Sequence, residues 1–239
     1  MMNQMMHYMR QLSSRLHPSA SASTPENAAQ LARLRKYQKE AQADVLGVSF
    51  AKLPVVVFDF ETSGFYPDQG DTILSIGAVK VTGSTVHREH FYQTIRSKKE
   101  PPPAILSLTG LTKEELDDSE PLEEVLLAFY DFIGSATLVA HHASHEKRFL
   151  RHATWQELGR TFTHRLVDTT FLTSITASNR KCQTLEEWCE AYNIPVTQRH
   201  HALADARMTA KLWATHVTKA EHGGYTCLHD IYKELALRR

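Results

Sequence analysis

From residue 54 onward, short apolar runs with the period of strands come first, and helical periods follow them. Val55, Val56, Val57 and Phe58 follow Pro54 as a β-branched and aromatic run, too short for a helix and right for a buried central strand. Gly64 and the Pro67-Asp68-Gln69-Gly70 turn end it. Thr72 to Val81 reads as a second strand closed at Gly83, and a third over about residues 85 to 95 completes a meander. Residues 97 to 110 contain Pro101, Pro102 and Pro103, which cannot donate to a ladder, and are expected to form an extended surface connection. Leu122, Val125, Leu126, Phe129 and Ile133 then recur at helical spacing up to Gly134. Beyond them the pattern predicts a buried strand at Thr137 to Ala140, a helix at 145 to 158 and a strand at 165 to 168. Helices are expected at 169 to 176, 184 to 193 and 201 to 220, and a terminal one carries Leu228, Ile231, Tyr232 and Leu235.

A meander followed by alternating helices and strands predicts an α/β fold: a mixed sheet with helices on both faces. Upstream, Leu31, Leu34, Gln38, Ala41 and Val45 lie at helical spacing after the Thr24-Pro25 start signal, predicting an amphipathic helix from about 25 to 45. Such a stripe serves either to pack on the main domain or to dock a partner. Residues 1–24 are Met-, Ser- and His-rich, show no sustained period and are expected to be poorly ordered. The resulting division is an N-terminal arm and helix (1–50), a main domain (51–222) and a C-terminal helix (223–239).

Composition narrows the partners. Of the 239 residues, 42% are hydrophobic, ordinary for a packed core, and no stretch approaches the roughly 20 apolar residues that cross a bilayer, so no membrane association is expected. Lysine plus arginine equals aspartate plus glutamate, which excludes binding of long nucleic acid through bulk positive charge. Any such partner must be gripped locally. Basic residues, Lys98, Lys99, Arg148, Arg151 and Arg199 among them, are scattered, while residues 114–124 are acidic. Cys182, Cys189 and Cys227 match no zinc spacing and read as reduced thiols of a cytoplasmic protein.

Candidate chemistry begins at the end of the first strand. Asp59 and Glu61 stand two apart, so strand alternation aims both carboxylates at one face, where two like charges need a shared proton or a hard cation such as Mg²⁺ or Mn²⁺. Glu146 lies near a helix start, with Phe149, Leu150 and Ala153 at i+3, i+4 and i+7, so its carboxylate shares the buried face. The neighbouring His145 does not make a zinc-peptidase motif, because H-E-x-x-H requires histidine where this chain has Phe149. Asp205 sits at the edge of the apolar face formed by Ala206, Ala210, Trp213 and Val217, and His200 precedes that helix on a loop.

Asp59-x-Glu61, then His141 to Glu146, then His200-x-x-x-x-Asp205 resembles the three-motif pattern of the DEDDh 3′-5′ exonucleases, the DnaQ-like family. The resemblance runs from about residue 54 to 218 and includes Leu108-Thr109-Gly110-Leu111-Thr112 and Val167-Asp168-Thr169. It implies an RNase H-like fold, two divalent cations (Mg²⁺ or Mn²⁺), and stepwise release of nucleoside 5′-monophosphates from a nucleic acid with a free 3′ end. It also implies Asp59, Glu61, Glu146 and Asp205 as metal ligands, His200 as general base, and Thr62 and Ser63 at the terminal nucleotide. Phe65 either stacks on a base or packs. The chain departs from the family at Glu146, where Asp is usual, at His142, commonly Asn, and at His145, commonly an apolar aromatic. Glu is one methylene longer but still an oxygen ligand, so the departure at Glu146 bears on turnover and metal preference more than on the fold. A catalytically weak binding module, or an accessory to a polymerase or repair partner, is the alternative.

Overall fold

The computed structural model describes residues 25–177, 179 and 182–238. The expected poor order of residues 1–24 concerns a segment outside the described residues. Five strands, β1 (Pro54–Thr62), β2 (Ile73–Thr82), β3 (Thr85–Thr94), β4 (Thr137–Ala140) and β5 (Leu166–Asp168), form one sheet in the order β3-β2-β1-β4-β5. The meander pairs are antiparallel and the β1–β4 and β4–β5 pairs parallel, giving the mixed sheet read from the pattern. β1, in the middle, is apolar on both faces because both are covered.

Alternation along β1 divides the core in two. Val56, Phe58 and Phe60 face a layer made by α1 (Pro25–Glu40), α4 (Leu122–Ile133) and α5 (Ser144–Leu158), with Phe129 at 5.8 Å from the Phe58 ring. Val55 and Val57 face α6 (Thr169–Thr176), α8 (Ala202–His222) and α9 (Leu228–Leu237). The stripe of α1 is packed: Leu34 is buried, and the Gln38 side-chain amide donates to the Thr161 carbonyl at 2.9 Å. The helix stops at Glu40, short of the 45 expected.

One expectation fails. Residues 103 to 110 are not extended: α2 (Pro103–Thr109) and α3 (Lys113–Asp117) occupy this connection. Pro103 stands at the first helical position, where a missing N–H costs nothing, and Gly110 closes α2 at φ +72°, so the proline run starts a helix that an isolated count of prolines excludes. α7 (Leu185–Ala191) completes the set, with Thr184 and Glu187 forming a capping box.

Two contacts place the elements that matter for function. Gly77 of β2 pairs with Asp59, and a Cβ there would lie 2.2 Å from the backbone of Ala202 and Leu203. The first turn of α8 therefore rests directly on the sheet beside Asp59. Further along the chain, Phe50 N–H donates to Thr226 O (2.8 Å) and His229 N–H to Leu46 O (2.9 Å), stitching the approach to β1 onto the approach to α9. Leu228 and Ile231 of α9 join Phe50 and Trp213 in the core.

Replacing Gly77 by alanine is expected to cost about 3 kcal/mol or more, because the added methyl meets backbone that cannot rotate away. Urea unfolding of the wild type and Gly77→Ala checks this.

Candidate active site

β1 continues the row of Val55 and Val57 with Asp59 and Glu61, so both carboxylates emerge on the α8 side of the sheet. The ladder shifts register between Glu61 and Thr62, ending the regular pairing just past the second acid. Asp205 stands in the first turn of α8. One oxygen from each of Asp59, Glu61 and Asp205 lies within 4.8 Å of the others, which joins two of the three sequence motifs in space.

Glu146 enters from the first turn of α5. It is 5% exposed, and Oε2 is buried without a hydrogen-bond partner; Asp205 Oδ1 is in the same condition. Glu146 stands outside the three-oxygen group, yet its charge acts on Asp59, and that of Glu61 acts on Glu146. His200 contributes backbone to the cluster: its N–H donates to Asp205 Oδ2 at 3.2 Å, at φ +62°.

The electrostatics follow from this crowding. Burial, then the charges of Glu146, Asp205 and Glu61, drive the Asp59 carboxyl well above its ordinary range. Burial and Asp205 push Glu61 up to about 8, and burial, with Asp168 and Glu61, pushes Glu146 to about 8. Burial raises Asp205 as well, opposed by the guanidinium of Arg199. Carboxylate oxygens alone, two of them buried and unpartnered, fit a hard divalent cation and no soft one.

Several residues hold the site through contacts that the sequence pattern does not reveal. Arg199 Nη1 donates to Asp205 Oδ2 and its Nε to Glu186 Oε1 at 2.6 Å, so α7 braces Asp205 through Arg199. With Oδ2 so occupied, Oδ1 is the oxygen left for a ligand. Asp168 accepts from Ala143 N–H and Thr170 N–H, both at 2.8 Å, and ties the turn that delivers Glu146 to the start of α6. Within that turn His142 has φ +55°, a conformation that Asn adopts more readily, and its Nε2 lies 2.8 Å from Gln183 O. The Tyr92 ring stacks on His201 at 4.5 Å, fixing the residue that leads into α8.

The remaining expected residues lie on the rim. Thr62 Oγ1 donates to Gly64 O (2.8 Å) and is 3.2 Å from His145 Nε2; Ser63 Oγ accepts from Thr72 N–H at 2.9 Å. Both hydroxyls thus shape the loop. Phe65 is 67% exposed, with its ring 5.9 Å from His145, so it is not packed in the core.

A family model described as Exonuclease, of RNase T type, matches residues 56–213, a span that contains all of these acids. The chain belongs to this exonuclease family. Among curated relatives, a DNA polymerase III PolC-type protein of Thermotoga maritima is 32% identical over 185 residues, covering 77% of this chain and 13% of that protein. A DNA polymerase III subunit epsilon-like protein of Rhodobacter capsulatus is 31% identical over 189 residues, covering 77% of this chain and 26% of the relative. The chain therefore spans about a quarter or less of the length of these relatives. Among solved structures, Exonuclease X in complex with 5′ overhanging duplex DNA is similar at a TM-score of 0.58 and 22% identity, over 74% of this chain and 98% of that one. Escherichia coli Exonuclease I in complex with a dT13 oligonucleotide gives 0.61 and 14%, over 72% and 43%. The expectation of a DnaQ-like exonuclease family and an RNase H-like fold is borne out. No described helix is long and apolar enough to cross a membrane.

The raised carboxyls set the pH response of the metal-free protein. An acid harder to ionise folded than unfolded costs nothing below its ordinary value of 4.5, and its cost is complete once pH passes the folded value near 8. Buried His141 and His216, lowered to about 4, exact their cost below 6.5, so the acids dominate above it. The melting temperature without metal is expected to fall from about pH 6.5 to about pH 8.5, and Mg²⁺ or Mn²⁺ to raise it more at the higher pH. Thermal melts across that range, with and without metal, read this out.

Proposed function

We propose that this chain is a DEDDh-type 3′-5′ exonuclease that releases nucleoside 5′-monophosphates from the 3′ ends of nucleic acid. The observation that carries the reading is the convergence of Asp59, Glu61 and Asp205, with the unpartnered oxygens of Asp205 and Glu146 beside them, inside a family match. Asp59, Glu61, Glu146 and Asp205 would hold two cations, Mg²⁺ or Mn²⁺. Bound there, the cations supply charge neutralisation at the phosphate and a more acidic water.

The protein's own residues do the rest. The loop position of His200, next to Asp205, suits it to take a proton from the attacking water as the bond from phosphorus to the 3′ oxygen breaks. The departing 3′ oxygen gains a proton, and the freed nucleotide keeps its 5′ phosphate. Arg199, braced by Glu186, fixes the Asp205 carboxylate so that one oxygen faces the cations. Thr62 and Ser63 border the terminal nucleotide, and the exposed Phe65 ring is available to a base. The free thiols Cys182, Cys189 and Cys227 suit a cytoplasmic setting.

One observation favours a second reading. Glu146 lies outside the three-oxygen group, and a longer acid that misplaces one cation would leave a module that grips nucleic acid or serves a polymerase or repair partner while turning over slowly. Mixing the protein with Mn²⁺ and labelled single strands separates the two: a ladder of shortened products supports the enzyme, and retention without shortening supports the binder.

Asp59→Ala and His200→Ala are each expected to lower the rate of shortening of a 5′-labelled oligonucleotide by at least about 100-fold. Rates unchanged in both variants refute the assignment. Glu146→Gln, which keeps the length of the side chain and removes its charge, is expected to weaken Mn²⁺ binding by about 10- to 100-fold in calorimetry.

A further inference from the structure

Helix α5 presents two faces. Glu146, Phe149, Leu150, Ala153 and Thr154 are buried, and Lys147, Arg148, Arg151 and Trp155 point to solvent. Arg148, Arg151 and Trp155 stand at i, i+3 and i+7 and share one stripe, with Lys147 four residues before Arg151. Among the described residues none of the three cations forms an ion pair, whereas Lys80, Lys113 and Arg238 each pair with an acid.

This arrangement opposes the local interest of the helix. The positive end of the helix dipole disfavours cations in the first turns, and like charges four residues apart repel. Among the described residues no ion pair to these three cations offsets either cost. The cations line a hollow of about 520 Å³ with Ser144, His152 and Asp68, and the single acid there is taken up by His152, 3.2 Å away.

Aromatic rings flank the cations. Phe65 and Tyr66 are 67% and 55% exposed on a loop pinned by Tyr66 N–H to Asp71 Oδ2 (2.8 Å) and by the Ser63–Thr72 pair, and Trp155 is 56% exposed at the far end. Phosphates seek unpaired cations and bases seek open ring faces, so a run of cations with rings at both ends matches a single strand. From Glu146 to Trp155 the helix rises about 14 Å, roughly the length of four stacked nucleotides.

We propose that the exposed stripe of α5, from Phe65 and Tyr66 past Lys147, Arg148 and Arg151 to Trp155, is the track of the substrate strand on the 5′ side of the scissile bond. Its direction rests on the exonuclease reading; its chemistry, a single-stranded nucleic acid of about four nucleotides, rests on the stripe itself.

The test uses full-length protein carrying Asp59→Asn, so that strands survive. Oligothymidylates and oligouridylates from two to twelve nucleotides are titrated against tryptophan emission, since Trp188 and Trp213 are buried. Strands of about four or more nucleotides are expected to quench emission, dinucleotides far less, and Trp155→Phe to remove the response. In the same background, Lys147→Ala/Arg148→Ala/Arg151→Ala is expected to lose at least about tenfold in affinity, and its log–log salt slope between about 50 and 200 mM to shrink by about 2. The far-UV circular dichroism and the melting temperature of the triple variant are expected to match those of its Asp59→Asn parent, because the three side chains are exposed, which shows that it folds. Unchanged affinity and salt slope in the triple variant, or emission indifferent to long strands, overturn the proposal. If the wild type cleaves nothing while the triple variant still loses binding, the track stands and the nuclease reading falls.

Discussion

The site depends on a place where a side chain is missing. Because Gly77 presents bare backbone to α8, the first turn of that helix lies against β2 beside Asp59, and Asp205 comes within reach of two acids about 145 residues earlier in the chain. Any Cβ at this position would hold the helix off the sheet. The sheet then supplies one pair of carboxylates and the helix a third, on two rigid elements rather than on loops, which is what a site tuned to fractions of an ångström needs.

Crowding four acids costs free energy that the fold meets locally. Arg199 neutralises part of the charge, is itself held by Glu186, and takes up one oxygen of Asp205. Asp168 performs a similar task for the opposite wall, by fastening the turn ahead of Glu146. The cluster thus has a braced side at α7 and α8 and another where the turn after β4 meets the junction of β5 and α6, with buried, unpartnered oxygens on Asp205 and Glu146.

Much of this was legible in the sequence. The β-branched run around Val56 identified the central strand, alternation put Asp59 and Glu61 on one face, and the periods of α5 and α8 turned Glu146 and Asp205 inward. What stayed hidden depends on distance rather than period. The role of Gly77 arises from a backbone about 125 residues away, Arg199 is an ordinary cation until Glu186 and Asp205 are beside it, and Asp168 is a helix cap whose second partner lies in another turn. The proline segment misled because proline forbids a helix interior but suits its first position.

The stitch between residues 46–50 and 226–229 bears on how the protein is made. Translation delivers the central strand early and its covering helix α9 much later, so Phe50 and Trp213 stay incompletely covered on a nascent chain until that helix has left the ribosome. This half of the core therefore closes late, and the exposed interval is the stage at which a chaperone would have something apolar to hold.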